Sequence, residues 1–283
     1  MKLKKRVNRS AAGNGFVFFI IVVFAIFMLI PFYYSIVQAL KPMEEIFAFP
    51  PKFYVVNPTF DNFVSMYLLT NDSWVPFGRY VLNSLIVIAV VLTAYIIIAS
   101  MAAYPLAKYK FPGQKAISKL MVWALLFTPQ VTSLPVYFLM AKTGMLDSYW
   151  ALVLPPLAST MGVYLMSNFM SQIPNSVIEA AKIDGASIFR TYFSIAMPLV
   201  RPAWLTLMIF TFQSLWGGQG QQYIFSENLK LLPSFFSQIA AGGLSRTGAA
   251  AAAGLVVAIP PIITYIIIQS NVLDTMAYSG IKE

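Results

Sequence analysis

Glu179, Ala180 and Ala181 stand just ahead of Asp184 and Gly185 in a polar stretch between two apolar runs. Two carboxylates flank a pair of small residues there. Glu179 has a local role open to it: Ser176, three residues earlier, completes a capping-box pattern, with Pro174 just upstream, and predicts a helix starting near Val177. Gly185 should end that helix. Ile188, Phe189, Tyr192 and Phe193 then form a second short amphipathic segment that returns the chain toward Pro198 and Pro202. The expected product is a helix, a bend and a helix.

Catalytic chemistry has little else to work with. The chain holds no Cys and no His, which excludes disulfides, Cys-ligated zinc and iron–sulfur clusters and removes the commonest metal ligand and proton shuttle. No Gly is followed by Lys, so no phosphate loop is present, and any ATP-driven work must draw its energy from another polypeptide.

The elements that position these residues follow from composition. Of 283 residues, 59% are hydrophobic and 10% charged, against about 25% charged in soluble domains, so an ordinary cytosolic domain is excluded. Apolar runs at 16–38, 81–105, 117–140, 148–170, 203–223 and 250–269 predict an all-α polytopic membrane protein with six transmembrane helices. Residues 1–15 form a basic N-terminus, and 16–283 form the membrane domain. The first run follows five basic residues but is too long for the core of a secretory signal, which makes it an anchor.

Orientation follows from charge. The N-terminus, the 106–116 loop with Lys119, the 171–202 loop and the C-terminus hold 13 of the 19 basic and 4 of the 10 acidic residues. That face should be cytoplasmic, with both termini on it. Membrane orientation accounts for the net charge of +9, and no nucleic acid partner is needed to explain it.

The spans lack ionisable residues well inside them, which disfavours an ion-coupled carrier and leaves no base to activate a Ser or Thr nucleophile in a membrane enzyme. A secondary or passive carrier of a small neutral solute is the competing reading, because some carriers work without such groups. Solute flux through the chain alone would distinguish the two.

The spacing Glu179-Ala180-Ala181, three residues, Gly185, nine residues, Ile195, Pro198 resembles the E-A-A signature of binding-protein-dependent ATP-binding-cassette importers. Met197 replaces the Leu of that signature, a change that preserves volume. Over residues 74–283 the chain is most similar to the maltose-type carbohydrate-uptake permeases, through Asn83-Ser84, the stretch from Tyr104 to Gly113, Leu134-Pro135-Val136-Tyr137, Gly144 with Leu146, and Ile183 to Ala186; the tail Gly280 to Glu283 is also similar. The resemblance implies a permease subunit in a prokaryotic cell membrane, working with a second homologous permease, two ATP-binding-cassette ATPase subunits and an extracellular solute-binding protein. ATP and Mg belong to the ATPases, and no cofactor is implied for this chain. Glu179, Ala180, Ala181, Asp184 and Gly185 would form the knob that enters the ATPase, with 171–202 as the cytoplasmic coupling loop.

A carbohydrate path should pair amides and hydroxyls with aromatic rings. Three spans offer such residues at helical spacing: Gln130, Ser133 and Tyr137; Thr160, Tyr164 and Asn168; and Gln213 with Trp216. Hydrogen bonding and packing between helices are the competing role for each. The uncharged set suits a neutral oligosaccharide. The Lys41–Arg79 and Tyr223–Thr247 loops are candidates to reach the binding protein.

Overall fold

A computed structural model describes residues 11–71, 74–218 and 220–279. The basic residues from Lys2 to Arg9 and the tail Gly280 to Glu283 lie outside the described residues. Regular structure among the described residues is entirely helical, in the order α1 (Ala11–Leu40), α2 (Met43–Ile46), α3 (Asp61–Asn71), α4 (Phe77–Lys108), α5 (Gln114–Ala124), α6 (Pro129–Lys142), α7 (Tyr149–Leu157), α8 (Thr160–Ser171), α9 (Asn175–Ile183), α10 (Ile188–Thr191), a π-helical turn (Tyr192–Ala196), α11 (Met197–Leu199), α12 (Arg201–Trp216), α13 (Leu232–Ala240) and α14 (Thr247–Ser279), with short 3₁₀ turns between the last three.

Among the described residues four stretches are long and apolar enough to cross a membrane: Gly13–Leu40, Phe77–Lys108, Tyr149–Ser171 and Leu244–Gln269. A fifth exists if Ile188–Leu199 and Arg201–Trp216, bent by 75°, are one span. The chain is therefore a polytopic all-α membrane protein. The run expected as one helix over 117–140 is instead α5 and α6, each too short to cross alone. The cause is Pro129: it holds Thr128 extended (φ −75°, ψ 152°), and α6 restarts with the proline in its first turn. The run expected over 203–223 stops at Trp216, because Gly217, Gly218 and Gly220 follow and the last two have positive φ. Pro260 and Pro261, by contrast, lie inside an unbroken α14.

The chain divides into two units, residues 1–69 with 239–256 and residues 70–238 with 257–283. In the first, buried Asn62 donates its amide to the carbonyls of Ala39 (2.9 Å) and Lys41 (2.7 Å), fixing α3 to the end of α1. A Cβ at Gly248 would lie 2.0 Å from the Asn62 oxygen, so only glycine lets α14 start there.

The second unit is built on α4. Tyr80, Asn83, Ser84, Val87, Val91, Tyr95, Ala99, Ser100, Ala103 and Tyr104 are its buried face, recurring every three or four residues as one stripe of a helix must. This stripe packs on α7, α8 and α12. A close approach is made at Gly162, whose N–H donates to the Tyr95 hydroxyl (2.7 Å) while that hydroxyl donates to the Ser159 carbonyl (3.0 Å). A Cβ at residue 162 would sit 2.5 Å from the same oxygen.

Candidate functional site

The second unit presents two features that the signature stretch and the polar spans had singled out: a solvent-facing tip and a cavity. The tip is the end of α9. Here the expected capping box does not form: the helix starts at Asn175 behind Pro174, and a proline at the N-cap has no side-chain acceptor to offer, so the Val177 N–H bonds the Pro174 carbonyl instead (3.1 Å). The other end is fully made. Gly185 takes φ 75°, its N–H donates to the Lys182 carbonyl (3.1 Å) and the Ala186 N–H donates to the Ala181 carbonyl (2.9 Å), the pair of bonds that closes a Schellman motif.

This closure turns the signature residues outward, with one exception. Glu179, Ala180, Asp184 and Gly185 are exposed. Ala181 is buried at 5%, on the side of α9 that also buries Ile178, so its small size serves packing inside this chain and the room for close approach from outside lies at Ala180. Among the described residues neither Glu179 nor Asp184 makes a side-chain hydrogen bond or ion pair; the one ion pair there joins Lys230 to Glu227. Composition reasoning passed over Ile183 as a contact. It is 86% exposed beside Asp184, and with exposed Ile188 and Phe189 it gives the acidic tip an apolar rim. Its position off the Ile178–Ala181 stripe was the available signal.

The return segment begins at α10, where the Ser187 hydroxyl accepts the Arg190 N–H (3.2 Å). It continues through the π-helical turn from Tyr192, which the Met197 N–H closes on the Tyr192 carbonyl.

The cavity, of about 530 Å³, opens where helices break. Its wall takes Ala124, Leu125 and Phe127 from the α5–α6 break, Pro155, Ala158 and Ser159 from the α7–α8 break, and Gly220, Gln222 and Tyr223 from the segment after α12. Broken backbone at membrane depth is tolerated where it borders protein or a water-accessible space, because its amides and carbonyls need partners. None of the lining side chains is charged.

Of the eight residues proposed for a solute path, the cavity gathers Ser133 and Thr160. The Ser133 hydroxyl donates to the Gln130 carbonyl (2.8 Å), and the Ser133 carbonyl accepts from the Tyr223 hydroxyl (3.3 Å). Tyr137 lies outside the lining, with its ring 6.5 Å from that of Tyr223. Gln130, Tyr164, Asn168 and Gln213 are not among the lining residues. Trp216 is engaged in packing: its indole N–H donates to the Val257 carbonyl (2.9 Å) and its ring stacks on Phe212. Gln222 and Tyr223 enter the lining because the chain leaves the helix at Trp216; the run of glycines after that residue was the sequence signal.

Next to the cavity, the segment 223–232 is fastened from several sides. The Asp147 carboxylate accepts the N–H groups of Phe225 (2.9 Å) and Ser226 (2.7 Å) and the Ser226 hydroxyl, and these bonds, the hydroxyl first, hold its pKa below the usual carboxylate range. Asn83 donates to the carbonyls of Asn228 (2.8 Å) and Lys230 (3.1 Å) and accepts from the Tyr149 hydroxyl (2.7 Å). The Tyr80 hydroxyl donates to Glu227 (2.9 Å), and Ser84 accepts the Leu232 N–H (2.8 Å).

Comparison with known proteins places this architecture. Residues 96–274 match the family model of the binding-protein-dependent transport system inner membrane component. The chain belongs to this family. The permease is 27% identical to a probable ABC transporter permease protein of Pyrococcus horikoshii over 259 residues, 88% of this chain and 90% of that one. It is 28% identical to the diacetylchitobiose uptake system permease protein of Streptomyces coelicolor over 202 residues, covering 70% and 64% of the two chains. Its fold is shared with a bacterial ABC transporter involved in the import of the acidic polysaccharide alginate, with a TM-score of 0.77, 20% identity and coverage of 93% and 98%. As a permease component the chain is not an enzyme; the ATPase of such a system is a separate subunit.

Proposed function

We propose that this permease carries a carbohydrate across a prokaryotic cell membrane as a six-span subunit with both termini in the cytoplasm. The α5–α6 pair supplies the span that neither helix makes alone. A second homologous permease completes the path, two ATPase subunits supply ATP and Mg chemistry, and an extracellular binding protein delivers the solute. The observation that carries this reading is the Schellman-closed tip: Glu179 and Asp184 stand exposed and unpaired among the described residues, around Ala180 and an apolar rim, on a short helix held from within by Ile178 and Ala181. Such a surface suits a basic, partly apolar socket on the ATPase.

ATP-driven closure of the ATPase pair would displace the tip, and the spans would follow between two states, each favoured by different ligands. The cavity at the helix breaks is the place for solute in this chain. Hydroxyls of Ser133, Thr160 and Tyr223 and the amide of Gln222 supply hydrogen bonds, Phe127 and Tyr223 supply ring faces, and the lining has no charge. That lining favours a neutral oligosaccharide.

Reconstitution tests the reading. Oligosaccharide uptake should require the binding protein and the ATPases together, and flux through the chain alone would establish the carrier instead. A binding protein whose melting temperature responds to acidic glycans and not to neutral ones would overturn the choice of a neutral solute.

A further inference from the structure

Side chains of the loop 171–196 reach α4, a helix distant in sequence, and Tyr109 just after it. At its start, the Lys108 ammonium donates to the carbonyl of Ile173 (2.5 Å) and reaches Asn175 Oδ1 (3.4 Å). At the end of α9, the Lys182 ammonium lies 5.4 Å from the centre of the Tyr109 ring, a cation–π distance. On the return segment, the buried hydroxyls of Tyr192 and Ser100 share a 2.5 Å hydrogen bond. The Ser100 hydroxyl also donates to the Ile96 carbonyl (2.6 Å), so the shared proton comes from Tyr192. The rings of Tyr104, Tyr109 and Tyr192 pack edge to face around these ties.

One proline makes the placement of the Tyr192 tie matter. Pro105 lies inside α4 and removes a helix hydrogen bond, which makes the helix most able to bend there. Lys108 and Tyr109 grip α4 on the loop side of that point, and Ser100 lies beyond it. The Tyr192 bond therefore bypasses the proline and delivers displacement of the loop to the straight part of the helix. That helix continues without a further proline to Arg79, Tyr80, Asn83 and Ser84, about 24 Å away at 1.5 Å per residue between Ser84 and Ser100. There it holds the segment 227–232, which continues back into the cavity wall at Tyr223.

We propose that α4 is the rod that couples the loop to the cavity, with Tyr192–Ser100 and Lys108 as its loop-side joint and Asn83 with Tyr80 as its far joint. These are positioning residues: none is placed against solute or nucleotide. The inference rests on the reading of 171–202 as the ATPase-contact loop, and its test separates the two.

The first arm needs no transport. The chain has no native Cys, so spin labels at Ser176→Cys and Lys110→Cys report the joint without background. In the full chain the distance between them should be narrowly distributed, and broadened by Tyr192→Phe combined with Lys108→Met. An equally narrow distribution in that variant overturns the joint, whatever the chain transports.

The second arm uses the assembled complex in liposomes. Tyr192→Phe and Tyr80→Phe each remove one hydroxyl and keep the ring, so assembly and unstimulated ATP hydrolysis should persist while solute moved per ATP falls about fivefold in each. The double variant distinguishes a rod from two local defects. A rod broken at either end is already uncoupled, so the double variant should be little worse than either single one, whereas independent defects multiply. Multiplying losses, or full solute transport per ATP in both single variants, overturn the rod. A wild-type complex with narrow label distances but no ATP-dependent uptake would refute the importer reading and the rod's transmission role while leaving the joint standing.

Discussion

Beside the 223–232 segment, at one end of α4, the carboxylates of Asp147 and Glu227 are bound inside the chain, to the hydroxyl and amides of residues 225–226 and to Tyr80 and Lys230. At the other end, Glu179 and Asp184 face outward and make no side-chain bond among the described residues. The same residue types therefore do different work. Where polar groups are satisfied internally they fix one arrangement, and their loss unfolds it. Where they are left for a partner, their loss should be silent until the partner is added. Stability and assembly, measured separately on the two ends, should respond in opposite ways.

The largest stability effect is expected at Asp147. It occupies the left-handed region (φ 54°), which Asp and Asn tolerate and Ala does not, and it accepts three hydrogen bonds. Asp147→Ala should cost about 3 kcal/mol by thermal unfolding, from lost charge-assisted bonds plus backbone strain. Asp147→Asn keeps the backbone preference and an acceptor oxygen, and should cost about 1 kcal/mol. Equal losses in the two variants would show that the backbone conformation contributes nothing. Capture of the ATPase should be unchanged in both.

Gly185→Ala comes next and moves the comparison to the tip. Nothing lies within 4 Å of the position a Cβ would take, so the cost is conformational, about 1 kcal/mol from the left-handed φ. Melting temperature in the isolated chain should fall only slightly, but the Schellman closure would loosen and solute-stimulated hydrolysis in the complex should fall with it. Unchanged stimulation would show that the tip's shape does not matter to its socket.

Acid offers a smaller and reversible probe. The Asp147 carboxyl has its pKa held below the unfolded value, chiefly by the Ser226 hydroxyl. Its contribution is therefore present above the unfolded pKa and is lost as pH falls through the folded one, which places the loss below about pH 4. Protease sensitivity of 223–232 should rise in that window, and Asp147→Asn should reduce the dependence to the part that the Glu227 carboxylate, bonded to Tyr80 and Lys230, contributes.

The same contrast explains what the sequence made legible. The tip is contiguous: Glu179 to Gly185 forms its own helix end, so the local pattern marked a short helix ending at Gly185, although neither its uncapped start nor the inward turn of Ala181. The cavity is assembled from three separate chain breaks, and apolar run lengths merged those breaks into spans; Pro129 and the glycines after Trp216 carried the correction locally. Asp147 gave no signal, because its partners lie some 80 residues away and its φ is set by the turn they close.

The smallest stability effect, and the sharpest contrast, belongs to Glu179→Gln and Asp184→Asn. The first removes a charge that caps nothing here, since α9 starts behind Pro174 without a side-chain cap. The second changes an exposed residue at the C-cap, where loss of negative charge slightly favours the helix dipole. Both should leave unfolding within 0.5 kcal/mol of wild type, the usual range for surface changes. If the two charges meet basic groups on the ATPase, capture of that subunit by the double variant should weaken about tenfold and become less sensitive to salt, because screening acts only on the charges that remain. Wild-type capture with wild-type salt dependence would assign recognition to Ile183, Ile188 and Phe189, and Ile183→Ser would then be the variant that releases the ATPase. Loss of capture with unchanged melting would show that this end of the molecule is built for its partner, as the 223–232 end is built for itself.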